Sequence, residues 1–341
     1  MLLSDLDYAY PTELVAQEPL AQRESSRLLV VKRDSGACHH HLMRDLPALL
    51  APGDLLVCND SRVLPMRLRG MRDSGASVEV LLIEDITGGS PHATWRALTS
   101  KMKRLRVGDR LTFASDVAAT VLTRETETLV IQFNLAPAQF RARLETIGEP
   151  PLPPYITRAV RTEDRARYQT IFAKHDGSAA APTAGLHFSD ALFAACRARG
   201  INIAYVTLHV GLDTFQPIRV EDLTAHQMHG EYFSVPIETR EAIANTGQHN
   251  GRIIAVGTTT VRALESMATF QRSDGVTQLF ITPGYAFKIV NGMITNFHQP
   301  RTTLLALVAA FAGREHLLAA YREAIAQRYR LFSYGDGMFI R

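Results

Sequence analysis

Four segments of the sequence combine small residues with hydroxyl, amide or imidazole side chains, each where an apolar strand pattern ends. They are residues 180–188 (AAPTAGLHF), 206–215 (VTLHVGLDTF), 255–266 (AVGTTTVRALES) and 294–300 (ITNFHQP). Proteins of the α/β class build ligand sites where strands end, and small residues let a ligand approach the backbone. Neither a GxGxxG nor a Walker pattern occurs. The segments therefore predict a site assembled from several strand ends.

Histidine supplies the candidate acid–base chemistry in these segments. His209 and His298 each follow an apolar strand pattern, and His187 lies among small residues. An imidazole titrates near neutrality and can act as a general acid or base. A half-buried structural histidine is the alternative for His209. Asn296 and His298 alternate along a strand end, so we expect them on one face.

The threonine-rich turn at the start of a predicted helix is a candidate anion site. Thr258, Thr259 and Thr260 precede Arg262 by a few residues. Backbone N–H groups at a helix N-terminus and a guanidinium both favour a carboxylate or phosphate. Ordinary threonine capping with one surface ion pair between Arg262 and Glu265 would explain the same pattern.

Two further polar segments have both a functional and an ordinary interpretation. Residues 59–62 (NDSR) leave a strand with amide, carboxylate and guanidinium groups in succession, which fits either a site or an Asx-type turn. Residues 101–110 (KMKRLRVGDR) hold five basic residues and one acid. They indicate either phosphate contact or a solvated loop. The histidines at 39–41 alternate faces if they form a strand, so no metal site is predicted there.

The elements that must position these residues follow from the apolar pattern. Strands are predicted at residues 27–32, 54–58, 203–208, 252–256, 278–282 and 293–296, and helices at 44–50, 191–199, 239–245, 260–267, 302–311 and 316–328. Between them, strands at 77–86, 93–98, 110–113, 117–123 and 128–133 follow one another without a helix until 138–144. Consecutive short strands suggest a small barrel. The predicted fold is an α/β protein in which a discontinuous α/β domain (1–61 and 150–341) carries an inserted β-barrel domain (62–149).

The composition of the chain says more about its cellular compartment than about its chemistry. No transit peptide, signal peptide or membrane-length apolar run is found, and the three cysteines are widely separated. We therefore expect a soluble, cytoplasmic protein in a reducing compartment. The net charge of +3 arises between residues 62 and 149, where 13 Lys and Arg face 10 Asp and Glu. The absence of a heptad seam favours a monomer.

Taken together, the sequence resembles the S-adenosylmethionine:tRNA ribosyltransferase-isomerase family of queuosine biosynthesis. The resemblance runs nearly end to end and is carried by ELVAQEPLAQRESSRLLVV, GDLLVCNDSRVLPMRLRG, VEVLL, PLPPYI, YQTIFA, AAPTAGLHF, TLHVGLDTF, MHGEYF, GRIIAVGTTTVRALES, LFITPGY, ITNFH and YRLFSYGD. Asp213 departs from the glycine usual in the family.

The resemblance implies a reaction and its partners. The ribosyl part of S-adenosylmethionine is transferred to 7-aminomethyl-7-deazaguanine at the tRNA wobble position and isomerised, giving epoxyqueuosine with release of adenine and methionine. The partners implied are that tRNA and S-adenosylmethionine as cosubstrate, with no metal, further cofactor or membrane.

Residue roles are hypotheses from residue type and strand-end position. The candidate catalytic residues are His209, His298, Asp60 and Glu231. The candidate substrate-binding residues are Thr183, Gly185, His187, Phe188, Gly211, Thr258, Thr259, Thr260, Arg262 and Asn296, and those for tRNA are Lys101, Lys103, Arg104 and Arg106. His187 is also a weaker third acid–base candidate.

Two other functions compete with this interpretation. An S-adenosylmethionine-dependent tRNA methyltransferase would bind the same partners but release S-adenosylhomocysteine. A non-catalytic RNA-binding module would account for the basic segment, but it would be expected to carry more stacking aromatics beside its basic residues.

Overall fold

The computed structural model describes residues 2–211, 218 and 220–341. The chain forms two compact units. The first comprises Met1–Arg62, Pro153–Arg158 and Arg167–Arg341, and the second comprises Val63–Leu152 and Ala159–Ala166. The division of the chain into separate domains at residues 62 and 150 stays a prediction. Asp213 lies outside the described residues.

Seventeen strands are assigned in the described part of the chain. They are β1 (Arg27–Val31), β2 (Cys38–Leu42), β3 (Leu55–Asn59), β4 (Ser61–Val63), β5 (Arg67–Arg72), β6 (Ser77–Asp85), β7 (Thr94–Leu98), β8 (Arg110–Ala114), β9 (Val117–Arg124), β10 (Leu129–Phe133), β11 (His175–Ser178), β12 (Asn202–Leu208), β13 (Glu231–Ser234), β14 (Ile253–Val256), β15 (Asp274–Thr277), β16 (Gly292–Asn296) and β17 (Gly337–Ile340).

Eight α-helices accompany these strands in the same part of the chain. They are α1 (Leu46–Leu49), α2 (Pro137–Ile147), α3 (Asp164–Arg167), α4 (Asp190–Ala198), α5 (Ile237–Gln248), α6 (Thr258–Phe270), α7 (Thr303–Ala312) and α8 (Arg314–Ala326).

The first unit is built on a mixed nine-stranded sheet in the order β15-β13-β12-β3-β14-β16-β17-β1-β2. Strands β12, β3, β14 and β16 are mutually parallel neighbours. Strands β3, β14 and β16 are buried along their whole length, as expected for parallel strands covered on both faces. Their uninterrupted apolar runs made them predictable from the sequence.

The register brings the ends of the parallel strands to one edge of the sheet. Asn59 pairs with Val206, and Val256 pairs with both Cys58 and Ile294. Because β13 runs antiparallel to β12, its first residue, Glu231, lies at this edge too. We call this the strand-end edge, and it carries most of the predicted site residues.

The second unit contains a closed antiparallel barrel of six strands in the order β10-β7-β6-β5-β8-β9. Strand β10 alternates buried and half-buried residues, so Leu129, Ile131 and Phe133 fill the interior. Phe133 stacks on Phe140 of α2, with ring centroids 3.8 Å apart. The α/β fold with a β-barrel predicted from the sequence is confirmed.

Three predicted elements need correction. Residues 278–282 are not a strand; the strand is β15, just before them. Ile281 is buried in the core, so the apolar pattern reflects burial without sheet pairing. Of the helix predicted at 44–50, only Leu46–Leu49 is α-helical, as α1, and a 3₁₀ turn at Met43–Asp45 precedes it. Helix α6 begins at Thr258, so the three threonines form its first turn instead of preceding it.

No single helix in the described ranges is long and apolar enough to span a membrane. Helices α7 and α8, which are bent by 110° relative to each other, reach that length and composition only as a pair.

Candidate active site

The strand-end edge contains a charged cluster at the ends of β3 and β12. The Asp60 carboxylate, which is only 6% exposed, accepts a hydrogen bond from Thr207 Oγ1 at 2.7 Å. His175 Nε2 lies 3.6 Å from the other Asp60 oxygen. Burial raises the pKa of Asp60, while the Thr207 hydrogen bond and His175 oppose that rise. This carboxylate is therefore held where it can exchange a proton.

His209 belongs to the same charged cluster. Burial lowers its pKa, and His175 lowers it further, while Asp60 and Asp176 act in the opposite direction. The ring stacks on Tyr232, with centroids 5.9 Å apart and planes 22° apart. Its buried Nδ1 has no hydrogen-bond partner among the described residues. At neutral pH the imidazole is thus mostly neutral and able to accept a proton.

Glu231 is engaged in a buried ion pair. One carboxylate oxygen contacts the Arg262 guanidinium and the other accepts the Gly211 N–H at 2.8 Å. Both side chains of the ion pair are 7% exposed. Arg262 therefore does not form the surface pair with Glu265 that the sequence offered as an alternative. Glu265 instead accepts hydrogen bonds from Tyr285 and from the backbone of residues 288–290.

A neutral cluster lies at the end of β16. Asn296 Nδ2 donates to Phe332 O at 3.1 Å and to His187 Nε2 at 3.2 Å. The other imidazole nitrogen of His187 lies 2.8 Å from Ser26 Oγ. Burial, together with Arg23 and Arg330, lowers the pKa of His187 to about 4. His187 is therefore neutral at physiological pH and suits positioning better than proton transfer.

His298 is also neutral at this edge. Its Nε2 lies 2.8 Å from Thr295 Oγ1, and burial lowers the pKa of the ring to about 3. Tyr8 OH donates to the His298 carbonyl, and Tyr321 OH accepts its N–H at 2.8 Å. The backbone and ring are thus fixed, and an imidazolium is disfavoured before any ligand binds.

Two adjoining cavities open beside the neutral cluster. The first is lined by Ala180, Ala181, Pro182, Thr183, Ala184, Val210, Gly257, Thr258, Thr259, Thr295, Asn296, His298 and Leu304. The second is lined by Tyr155, Thr183, Asn296, Phe297, His298, Gln299, Thr302, Leu304, Phe332 and Ser333. Asn296 and His298 line both, as expected from their shared face. We call the two cavities together the Asn296 cavity.

Some predicted binding residues lie away from the Asn296 cavity. Phe188 is fully buried in the core, and a side chain at Gly185 would meet Phe172 and Thr170 at 2.7 and 2.8 Å. The Thr260 hydroxyl donates to Val256 O at 2.7 Å and is fully buried. Gly211 lies beside Glu231 instead. These residues support the walls of the site in this structure and do not face the cavity.

The first turn of α6 connects the two clusters. Thr258 and Thr259 line the Asn296 cavity, and Thr259 Oγ1 accepts a hydrogen bond from Asn59 Nδ2 at 3.1 Å. Asn59 Oδ1 accepts the Ser61 N–H at 3.1 Å, which is the Asx-type turn considered for this segment. No side chain caps α6 at Gly257, so ordinary threonine capping does not explain the threonines.

The predicted tRNA contacts lie on the second unit, next to a short 3₁₀ turn at Met102–Arg104. Lys103, Arg104 and Arg106 are exposed. Lys101 is less available, because its Nζ donates to the Ser77 carbonyl and hydroxyl oxygens at 2.6 and 3.0 Å.

Several residues at the strand-end edge were not singled out from the sequence. Ser26, His175 and Tyr232 join it through contacts between segments far apart in the chain. A sequence signal exists for Ser26, in the ESSR part of a motif quoted above, and for Tyr232, in the MHGEYF motif, but not for His175. In the described part of the chain, no group of three His, Cys, Asp or Glu could hold a metal ion.

Comparison with known proteins identifies the family to which this arrangement belongs. A family model described as queuosine biosynthesis protein matches residues 3–340. The chain belongs to this family.

Relatives agree over the full length. The S-adenosylmethionine:tRNA ribosyltransferase-isomerase of Citrifermentans bemidjiense is 49% identical over 343 residues, with both chains covered completely. The protein of the same name from Anaeromyxobacter sp. strain K is 51% identical, covering 100% of this chain and 99% of its own. The crystal structure of S-adenosylmethionine tRNA ribosyltransferase from Thermotoga maritima is 36% identical, with a TM-score of 0.57 and coverage of 99% and 100%.

Proposed function

We propose that this chain transfers the ribosyl group of S-adenosylmethionine to 7-aminomethyl-7-deazaguanine at the tRNA wobble position and isomerises it, releasing adenine and methionine. The observation that carries most weight is the full-length identity of about 50% to proteins named for this activity. The strand-end edge supports the proposal, because it places groups that can exchange protons beside a neutral cavity.

The reaction needs a group that accepts a proton from the attacking amine, because only the neutral aminomethyl group is nucleophilic. A carbon next to the sulfonium must also lose a proton for the rearrangement to begin. Asp60 and His209 are the candidates for these two tasks, since each is partly desolvated and both belong to the charged cluster. Glu231 is less suited, because Arg262 already compensates its charge.

S-Adenosylmethionine also carries charged groups that need partners. We assign its methionine carboxylate to the first turn of α6, where Thr258 and Thr259 line the cavity and the helix N-terminus is positive. Arg262 is a second candidate, because its buried Nη2 has no partner among the described residues. Its Nη1 is engaged with Glu231.

We further propose that the reaction needs no metal and that the protein is a cytoplasmic monomer, as expected for an enzyme acting on tRNA without a heptad seam. Turnover that survives exhaustive chelation and a single monomeric species in analytical ultracentrifugation would support these expectations. Loss of activity restored by a divalent metal, or a stable dimer, would contradict them.

The basic segment of the second unit is proposed to contact tRNA phosphates. Replacing Lys103, Arg104 and Arg106 by Ala should weaken tRNA binding and reduce the slope of log affinity against log salt by up to about 2 to 3. The matched control is Arg124→Ala, another exposed barrel cation. Equal effects of the two changes on affinity and salt slope would mean a non-specific charge effect.

The direct test of the function is to incubate the purified protein with S-adenosylmethionine and tRNA that carries the aminomethyl base. Adenine and methionine released only in the presence of that tRNA are the expected result. Release of S-adenosylhomocysteine would replace the proposal by a methyltransferase. Binding of tRNA without any product, in a preparation of verified fold, would favour the non-catalytic binding module.

A further inference from the structure

Asn296 has one buried hydrogen-bonding atom that no described residue uses. The residue is 2% exposed at the end of β16 and lines the Asn296 cavity. Its Nδ2 is fixed as the amide nitrogen, because the carbonyl of Phe332 can only accept. Its Oδ1 is buried without a hydrogen-bond partner among the described residues. A buried acceptor without a partner is costly, so a ligand donor at this place would be favoured.

The orientation of this amide is held by a chain of hydrogen bonds. Since Nδ2 donates to His187 Nε2, the proton of the neutral imidazole must be on Nδ1, which donates to Ser26 Oγ. The Ser26 hydroxyl in turn donates to Arg23 O at 3.2 Å. Every donor in this chain has an acceptor, and a flipped Asn296 amide would break two bonds at once. These hydrogen bonds therefore keep Asn296 Oδ1 turned away from Phe332 O and His187 Nε2, the two partners of Nδ2.

The walls around Asn296 select a neutral ligand group. Among the described residues that line the two cavities there is no Asp, Glu, Lys or Arg, and both histidines near Asn296 are neutral. The ammonium and sulfonium of S-adenosylmethionine would lose hydration here without gaining a counter-charge. The adenine ring is neutral, largely apolar on its faces, and carries an exocyclic amino group that donates hydrogen bonds.

On this basis we infer that the second cavity, which Asn296 lines and the threonines of α6 do not, binds the adenine of S-adenosylmethionine, and that Asn296 Oδ1 accepts a hydrogen bond from its exocyclic amino group. Ser26 and His187 are positioning residues that set the direction of the Asn296 amide. The inference rests on the proposed function for the identity of the cosubstrate. It adds which part of S-adenosylmethionine the cavity binds, the adenine, and which protein atom recognises that part, Asn296 Oδ1.

A second buried asparagine at the same edge provides a natural control. Asn59 ends β3, and both of its amide atoms are used within the protein. Its Nδ2 donates to Leu208 O and Thr259 Oγ1, and its Oδ1 accepts the N–H groups of Ser61 and Leu208. Asn59 thus has a structural role, whereas Asn296 Oδ1 has no hydrogen-bond partner among the described residues.

The test uses free adenine and purine, which lacks the amino group, as calorimetric probes without tRNA or turnover. The wild-type protein should bind adenine about tenfold more tightly than purine, the size of effect expected when a buried acceptor loses its donor. In Asn296→Ala this preference should fall to about one, while Asn59→Ala should keep it. An unchanged preference in Asn296→Ala, or its loss in both variants, would overturn the assignment.

Ligand chemistry alone decides the matter if a variant does not fold. Hypoxanthine presents an acceptor where adenine presents its amino group, so it would face Asn296 Oδ1 with like polarity. The wild-type protein should therefore rank adenine above purine and purine above hypoxanthine. Equal binding of all three bases, or no adenine binding at all, would contradict the inference. Failure of the proposed function is distinguishable, because adenine preference without adenine release from S-adenosylmethionine would reject the reaction and retain the pocket.

Discussion

The two halves of the strand-end edge have opposite electrostatic character. Around the ends of β3 and β12, the buried carboxylate of Asp60 lies beside His175, and His209 lies near both. Around the end of β16, His187 and His298 have pKa values lowered to about 4 and about 3 and remain neutral. Histidines thus occur in both halves, but in different local environments.

Burial and partners explain the difference. His187 and His298 are buried and form hydrogen bonds with neutral side chains, so nothing compensates a positive charge. His209 is only partly buried, and Asp60 and Asp176 oppose the lowering of its pKa. From this comparison we propose a division of tasks that the sequence alone did not indicate: proton transfer in the charged half and recognition of a neutral group in the neutral half.

The largest effect is expected from removing the charge of Asp60. Asp60→Asn keeps an acceptor for Thr207 but abolishes the carboxylate, so the single-turnover rate of adenine release should fall about 10²- to 10³-fold. Affinity for free adenine should change little. Rapid quench with tRNA that carries the aminomethyl base measures the rate. The control is Asp176→Asn, because Asp176 is an exposed carboxylate paired with Arg62. A comparable loss of rate in Asp176→Asn would show that the effect is not specific to Asp60.

The ion pair of Glu231 with Arg262 should contribute to the stability of the fold and not to catalysis. Glu231→Gln leaves the buried Arg262 without its counter-charge, so the free energy of unfolding should fall by about 3 kcal/mol. Urea denaturation measures this. The exposed pair Asp7 with Arg301 is the comparison, and Asp7→Asn should cost less than about 1 kcal/mol. If Glu231→Gln retained full stability but lost turnover, Glu231 would belong with the catalytic groups.

The pH dependence should distinguish the halves. If the neutral form of His209 and the ionised form of Asp60 are the proton acceptors, as proposed, both lose capacity as pH falls. Because burial lowers the pKa of His209, kcat/KM should be level at neutral pH and should decline only below the ordinary imidazole range, by about tenfold per unit where His209 alone titrates. His209→Gln should remove or displace this decline.

His298→Gln provides the matched histidine change in the neutral half. It should leave the acid decline at the same pH, because His298 with a pKa of about 3 does not titrate in that range. A decline that shifts in His298→Gln and persists in His209→Gln would reverse the assignment of the two histidines.

The smallest effect is expected from the positioning chain. Ser26→Ala removes the acceptor of His187 Nδ1 but leaves Asn296 in place, so affinity for adenine should weaken by only a few-fold, equivalent to about 1 kcal/mol or less. The pH profile should not move. A loss as large as that in Asn296→Ala would mean that Ser26 contacts the ligand itself.

The sequence predicted the elements better than their partners. Fully apolar runs such as β3 and β14 identify buried strands wherever they pair, and consecutive short strands indicated the barrel. The short strands β13 and β17 were missed, because four residues that pair with distant segments carry little local periodicity. At 278–282 the opposite error arose, since burial in irregular structure imitates a strand.

Several residues that line the Asn296 cavity were predictable as a set, while their roles stay a prediction. Glycine, threonine, histidine and asparagine at strand ends gave Thr183, Thr258, Asn296 and His298, which line the Asn296 cavity. The sequence could not show that His298 is neutral or that Glu231 is paired, because both facts depend on residues far away in the chain. The free acceptor of Asn296 is likewise visible only when all of its neighbours are known.

The most direct test of the division between the halves is to measure, for Asp60→Asn and Asn296→Ala, both the dissociation constant of S-adenosylmethionine and the single-turnover rate of adenine release at saturation. The account predicts that Asp60→Asn loses rate with near-normal affinity, while Asn296→Ala loses about tenfold in affinity and much less in rate. The reverse pattern, with affinity lost in Asp60→Asn and rate alone lost in Asn296→Ala, would contradict it.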